Sequence, residues 1–350
     1  MKRFKSLTCL CMILGLLVVL TGCPKTANKA DPKGMMYFSY FDTVSYIYSY
    51  AEDSQEDFEA RCEGASAILG EYHRLFDIYY EHSGISNLRT VNLNAGGDPI
   101  TVDEKLIDFL LYAKELYKET SGEMNVMMGS VLKLWHDCRE KADSSSKNNS
   151  IPTEEELKEA SLHTDISCLE IDEVNNTVRI TDPKASIDVG ALGKGYATEK
   201  AAEYLRGAGA EGYVLNIGGN IRIIGNKPDG SGWKTGIKDP AGPEGYALTL
   251  ELANTSCVTS GDYERFFYAG NVKYHHIIDK DTLMPSTHFS SVTVITENSG
   301  LADALSTALF SMSYEDGLAL VEGLGEVEVL WITSDGTQYY TDGIKVLIRK

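Results

Sequence analysis

Ser186-Ile187-Asp188-Val189-Gly190-Ala191-Leu192-Gly193-Lys194-Gly195-Tyr196-Ala197 governs the reading of this 350-residue chain. A short strand carries Asp188 into a glycine-rich turn, and the turn opens a helix from about Gly193 to Arg206. The glycines let backbone approach a ligand closely, and a helix N-terminus beside Lys194 suits a phosphate. The spacing is not the G-x-x-x-x-G-K-[ST] of a phosphate loop. On these residues alone, a plain glycine turn with a solvated lysine fits as well. Outward from this segment, Val178–Thr181, Tyr213–Ile217, Ile221–Ile224, Leu248–Leu252 and Ser291–Thr296 read as strands, and Leu301 to Met312 as a helix. Upstream, Phe58, Cys62, Ala65, Ile68, Leu69, Leu75 and Phe76 recur at helical spacing over about 54–76. Leu106, Phe109, Leu110, Ala113, Leu116 and Tyr117 mark another helix, Tyr37–Tyr50 a strand, and Lys141–Pro152 a polar loop. Helices and strands mix without a βαβα rhythm and without an internal repeat. That pattern favours an α+β fold in one domain over a doubly wound sheet.

The charge is lopsided, with 51 Asp and Glu against 32 Lys and Arg, a net −19. Such a surface repels polyphosphate and excludes a general nucleic-acid role. Any phosphate ligand must be met locally by a metal ion, a few cations or backbone N–H groups.

Lys2, Arg3 and Lys5 precede an apolar run from Leu7 to Leu20, too short to span a bilayer, that ends in Leu20-Thr21-Gly22-Cys23. This resembles a bacterial lipoprotein signal. The resemblance implies removal of residues 1–22, lipidation of Cys23 with acyl chains such as palmitate, a tether over 23–34, a domain over 35–350, and an extracytoplasmic, membrane-anchored location. Loss of the three cations takes the net charge from −19 to −22. Cys62, Cys138, Cys168 and Cys257 remain, widely spaced and without CxxC, so zinc ligation is disfavoured and disulfide pairing stays open.

Four further segments carry titratable or glycine-rich chemistry. Asn216-Ile217-Gly218-Gly219-Asn220-Ile221-Arg222 is a hairpin-like double glycine. Thr259-Ser260-Gly261-Asp262-Tyr263-Glu264-Arg265 and Tyr274-His275-His276-Ile277-Ile278-Asp279 set polar groups among β-rich residues. Adjacent strand residues face opposite ways, so at most one of His275 and His276 points into a given site. Asp303 and Thr307 lie four apart on one helix face. Both are hard oxygen donors suited to Mg²⁺ or Ca²⁺, although a solvated helix face uses the same pair.

Taken together and in this order, the blocks Asp188–Ala197, Asn216–Gly225, Thr259–Arg265, His276–Pro285 and Ala302–Thr307 resemble the ApbE family of flavin transferases. The resemblance implies a mixed, largely antiparallel sheet with packed helices. It also implies a Mg²⁺-dependent enzyme that takes FAD as substrate, transfers FMN to a threonine hydroxyl of a partner flavoprotein and releases AMP. The partner would be a membrane redox subunit or an extracytoplasmic FMN-binding domain. By the same resemblance, the Ala191 carbonyl, Asp303 and Thr307 would hold the metal. Phe41, Tyr79, Glu123, Met124, Asn125, Asp188, Lys194, His276 and Ile277 match flavin-nucleotide positions.

The chain departs from the family pattern in three places. Phe41-Asp42-Thr43 stands for Met-Gly-Thr, Glu123-Met124-Asn125 for Ala-Phe-Asp, and Lys280 and Leu283 replace the Pro and Gly of an Asp-Pro-x-Thr-Gly turn. A threonine hydroxyl needs a base within hydrogen-bond reach, and His276 is the candidate, with Lys194 neutralising charge on the leaving phosphate. Two other readings use the same residues. One is a Mg²⁺-dependent FAD pyrophosphatase giving FMN and AMP. The other is a flavin-binding lipoprotein without turnover.

Overall fold

Alternation of apolar and polar residues builds the first two strands, β1 (Lys33–Tyr40) and β2 (Thr43–Ser49). The sequence alone suggests one strand over 37–50, but the chain turns at Phe41 and Asp42, whose φ values are 53° and 51°. Two successive left-handed residues make the turn that matches strand twist in a hairpin. Neither residue is the Asn or Gly that usually announces it. β1 also takes in Lys33 and Gly34, which the sequence assigns to the tether. The computed structural model describes residues 32–349 except 145, 147, 243 and 244. The signal segment 1–22 and Cys23 lie outside the described residues, as does the tether through residue 31.

Six more strands join this hairpin: β3 (Tyr213–Ile217), β4 (Asn220–Ile224), β5 (Ser256–Gly261), β6 (Ser291–Thr296), β7 (Glu328–Ile332) and β8 (Gln338–Tyr340). Their order across the sheet is their order in the chain, and every neighbouring pair is antiparallel. Long insertions between consecutive strands carry the helices. This is the largely antiparallel α+β sheet expected.

Three helices stack in series on one face: α1 (Gln55–Phe76), α2 (Gly193–Gly207) and α3 (Ser299–Ser311), with α3 against β5 and β6. Ser54 caps α1 by accepting from the Asp57 N–H, and Phe58, Cys62, Ala65, Leu69, Tyr72 and Leu75 form its buried stripe. α3 is buried almost all round because it lies between α2 and the sheet. On the other face, the hairpin of Trp233–Lys238 and Tyr246–Leu252 packs Trp233, Ile237, Leu250 and Leu252 against Ile223, Cys257, Ile295 and Leu330. With both faces covered, all six residues of β6 are buried. Each fully buried large apolar side chain contributes about 1.5–3 kcal/mol.

The short strand expected at Ser186–Ile187 forms no ladder. Ser186 makes one isolated parallel bridge with Met128, and the Asn92 side chain brackets Ile187, accepting from its N–H at 2.7 Å and donating to its carbonyl at 2.9 Å. Helices Leu88–Leu93, Gly129–Lys141, Glu154–Ser161, Tyr314–Leu324 and Asp342–Leu347 were not evident in the sequence pattern. The four cysteines within the described residues are unpaired thiols. Among the described residues no helix is long and apolar enough to cross a membrane.

Candidate active site

α2 begins without a side-chain cap of its own, since Leu192 occupies the N-cap position. The missing acceptor comes from another helix. Gly195 N–H, one of the first-turn donors that have no acceptor within their own helix, donates to Asp303 Oδ2 at 2.8 Å. Only glycine permits the approach, because a Cβ on residue 195 would lie 2.3 Å from the Ser299 carbonyl oxygen and 2.4 Å from Asp303 Cβ.

Asp303 is 4% exposed, and burial pushes its carboxyl above the ordinary range. Lys194, with Nζ 3.8 Å from Oδ1, and the Gly195 N–H pull the other way and favour the carboxylate. The Asn220 amide also leans toward the carboxylate and favours its charged form, although its nitrogen lacks a hydrogen bond of full geometry and is buried without a partner. Lys194 Nζ also reaches the Gly190 carbonyl at 3.4 Å.

One turn after Asp303, Thr307 Oγ1 lies 3.2 Å from Ser260 Oγ of β5, which is itself 2.8 Å from Ser306 Oγ. The carboxylate of Asp303, the hydroxyl of Thr307 and the backbone carbonyls of the glycine-rich turn are all hard oxygen donors, a set that suits Mg²⁺ and not a thiophilic metal. Among the described residues no three His, Cys, Asp or Glu side chains cluster as a metal cage. A cation here would depend on one protein charge plus ligand oxygens.

The second half of the site is aromatic and cationic. Asp188 is anchored by its Oδ1 accepting from Gly190 N–H at 2.9 Å. Burial raises its carboxyl, while that N–H and then His136, Arg265 and Arg139 lower it. Tyr79 keeps 46% of its surface open, and its ring sits 5.2 Å from that of His136. Arg139 Nη2 lies 2.9 Å from His136 Nδ1. The same two arginines, with Lys194 and above all burial, depress His276 to about 3. His276 is therefore a neutral imidazole at physiological pH, with Nδ1 buried and without a partner. Its neighbour His275 turns into the fold, with Nε2 2.8 Å from the Ser286 carbonyl. Of the two histidines, only His276 feels the cationic cluster.

The remaining expected positions divide. Phe41 lies at the β1–β2 turn, its N–H donating to His73 Nδ1 at 3.3 Å. The Ile277 side chain is core, its N–H donating to His275 Nδ1 and its carbonyl accepting from Ser286 N–H. Met124 is 3% exposed and packs in the main core. Asn125 spends both ends of its amide on backbone, donating to the Thr164 carbonyl at 2.9 Å and accepting from Met127 N–H at 2.9 Å. An aspartate could not donate to Thr164, which accounts for Asn at this position.

Two other departures match each other: Glu123 and Lys280 form an ion pair at 3.2 Å. Leu283 adopts φ 61°, the conformation that favours glycine, while Asp279 Oδ1 accepts from the N–H groups of Asp281 and Thr282. The turn therefore keeps a left-handed residue despite losing Gly. His136 and Arg139 went unnoticed in the sequence because the helix that presents them did. Arg265 and Asn220 fall in recognised blocks, but their roles arise only from three-dimensional proximity.

The ApbE family model matches residues 41–331. A FAD:protein FMN transferase from Vibrio cholerae is 29% identical over 331 residues, covering 93% of this chain and 95% of that protein. A FAD:protein FMN transferase from Treponema pallidum is 29% identical over 322 residues, covering 88% of this chain and 86% of its own length. Among solved structures, the ApbE protein of Thermotoga maritima superimposes with a TM-score of 0.80 at 27% identity, covering 91% of this chain and all of that one. The flavin transferase ApbE of Vibrio cholerae gives 0.75 at 26% identity, with the same coverage.

Proposed function

Because the chain belongs to the ApbE family, we propose that it is a FAD:protein FMN transferase, moving FMN from FAD to a threonine hydroxyl of a partner flavoprotein and releasing AMP. The observation that carries this reading is the Gly195–Asp303 contact, which sets a buried carboxylate beside Lys194 at the glycine-rich turn. In the reaction, the threonine Oγ–P bond to the FMN phosphoryl group forms and the pyrophosphate P–O bond to AMP breaks. The hydroxyl proton passes to a base. His276 is the candidate base by position, but burial, Arg265, Lys194 and Arg139 hold its basicity far down, so it can accept the proton only once the phosphates of bound FAD offset those cations. Lys194 holds the phosphates and offsets charge on the departing AMP. Asp188 and the open face of Tyr79 orient the flavin, and Arg139 and Arg265 supply positive charge for an anionic substrate in an acidic protein.

The Ala191 carbonyl, the Asp303 carboxylate and Thr307 Oγ1 would hold Mg²⁺, which when bound supplies charge neutralisation at the pyrophosphate oxygens. The test is AMP release from FAD by the purified protein with an acceptor present. Release should stop with EDTA and return with added Mg²⁺. No AMP under any metal condition would reject the reading.

The proposal extends to location. The Leu20–Cys23 segment supports a lipid anchor outside the cytoplasm, facing a membrane or extracytoplasmic acceptor. Cys23→Ser should shift the protein from the membrane to the soluble fraction. Firm membrane retention of the variant would remove the anchor from the account.

A further inference from the structure

Behind the Asp303 site lies a second set of contacts, one helical turn deeper in the fold. α2 and α3 run past each other so that Gly195 meets Asp303, and Glu199, four residues on in α2, meets Ser299, four residues back in α3. The Ser299 N–H donates to Glu199 Oε2 at 2.9 Å. β4 supplies the third member of each level. Asn220 leans on Asp303, and two residues along the same strand face Arg222 Nε donates to Glu199 Oε2 at 3.0 Å. Glu199 Oε1 takes Arg206 Nη2 at 2.8 Å. Glu199 is 5% exposed and Arg222 fully buried, whereas most of the chain's acids face solvent.

The two levels therefore form a ladder. The outer rung is Gly195 N–H, Asp303 and Asn220, and the inner rung is Glu199, Ser299 N–H and Arg222. Helices that meet at a glycine can slide unless something fixes their register, and Gly195 has no side chain with which to do so. Glu199 ties α2, α3 and β4 together one turn from the site, and those three elements carry Lys194, Asp303 and Asn220.

We propose that Glu199 is a positioning residue for the cation end of the site: by fixing the register of α3 against α2, it keeps Asp303 on the Gly195 N–H. The part of this that concerns Mg²⁺ rests on the function proposed above; the part that concerns register does not. Two readouts on the full-length protein separate them. The first is hydrogen exchange of the Gly195 amide, and the second is calorimetric titration with Mg²⁺ in the presence of FAD.

Glu199→Gln should speed Gly195 exchange and weaken Mg²⁺ binding by about 10–100-fold, the range seen when a partner behind a metal ligand is lost. Because a buried Arg222 without its carboxylate is strongly destabilising, Glu199→Gln is paired with the double variant Glu199→Leu/Arg222→Met. An apolar replacement of a buried ion pair often keeps or raises stability. A double variant that melts at or above the wild-type temperature yet loses Gly195 protection establishes positioning apart from stability. Unchanged Gly195 exchange in a folded double variant overturns the proposal. Wild-type protein that protects Gly195 but binds no Mg²⁺ would count against the proposed function and leave the register role intact.

Discussion

Gly195→Ala is the sharpest local perturbation available. The added methyl would sit 2.3 Å from the Ser299 carbonyl oxygen and 2.4 Å from Asp303 Cβ, where ordinary contact begins at 3.4 Å. Neither obstacle is the free end of a flexible side chain, so α2 and α3 must separate by about 1 Å, an overpacking that costs about 1–3 kcal/mol. Separation also breaks the Gly195 N–H bond to the Asp303 carboxylate, and a hydrogen bond to a charged group is worth about 1.5–3 kcal/mol. Alanine in a helix returns about 1 kcal/mol relative to glycine. The net loss is about 1.5–5 kcal/mol.

Gly207 in the same helix provides the control. A methyl there has nothing within 4 Å, so Gly207→Ala should stabilise by about 0.5–1 kcal/mol. Urea unfolding followed by far-ultraviolet circular dichroism measures both variants against wild type. Equal stabilities for the two alanine variants would refute the helix-contact geometry on which the site depends.

Asp303→Ala should nearly abolish AMP release and raise the Mg²⁺ requirement, and Thr307→Val should cost less because it removes no charge; steady-state rates against Mg²⁺ concentration check both. Tyr79→Ala should weaken FAD binding by about 1–3 kcal/mol, the scale of aromatic stacking on a base, as read by flavin fluorescence titration. Burial depresses His276 from 6.5 to about 3 in the folded protein, so it costs no stability above pH 6.5 and destabilises progressively as pH falls toward 3, where the unfolded chain binds the proton and the folded one does not. Between those limits wild type should lose up to about 1.4 kcal/mol per pH unit more than His276→Asn; parallel pH–stability curves would show that the imidazole is not buried as described.

Much of the scaffold was legible because its physics is periodic. The apolar stripe from Phe58 to Phe76 has helical spacing, and Tyr213–Ile217 and Ser291–Thr296 coincide with observed strands. The glycine-rich turn into α2 and the Asp303–Thr307 spacing pointed to a phosphate and metal corner, and the structure brings Asp303, Lys194 and the Ala191 turn together. Local signals failed where tertiary contacts replace them. Helix Gly129–Lys141 starts at Met128 with no side-chain cap, so nothing in the sequence announced it or its His136 and Arg139. The turn at Phe41-Asp42 puts a bulky Phe in left-handed backbone, which such a residue seldom adopts. α2 borrows its first-turn acceptor from a residue 108 positions away, a contact that no window along the chain can reveal.

Transfer of FMN to a threonine is directly observable. Its most direct measurement incubates the full-length protein with FAD, Mg²⁺ and a flavoprotein domain carrying the target threonine, or with that threonine changed to alanine. Released AMP and covalent flavin on the acceptor are quantified together. One AMP should appear per flavin attached to the threonine-bearing domain, with no attachment to the alanine version or in EDTA. AMP release that is equal with either acceptor, with no covalent flavin on either, would contradict transfer and leave hydrolysis of FAD as the activity.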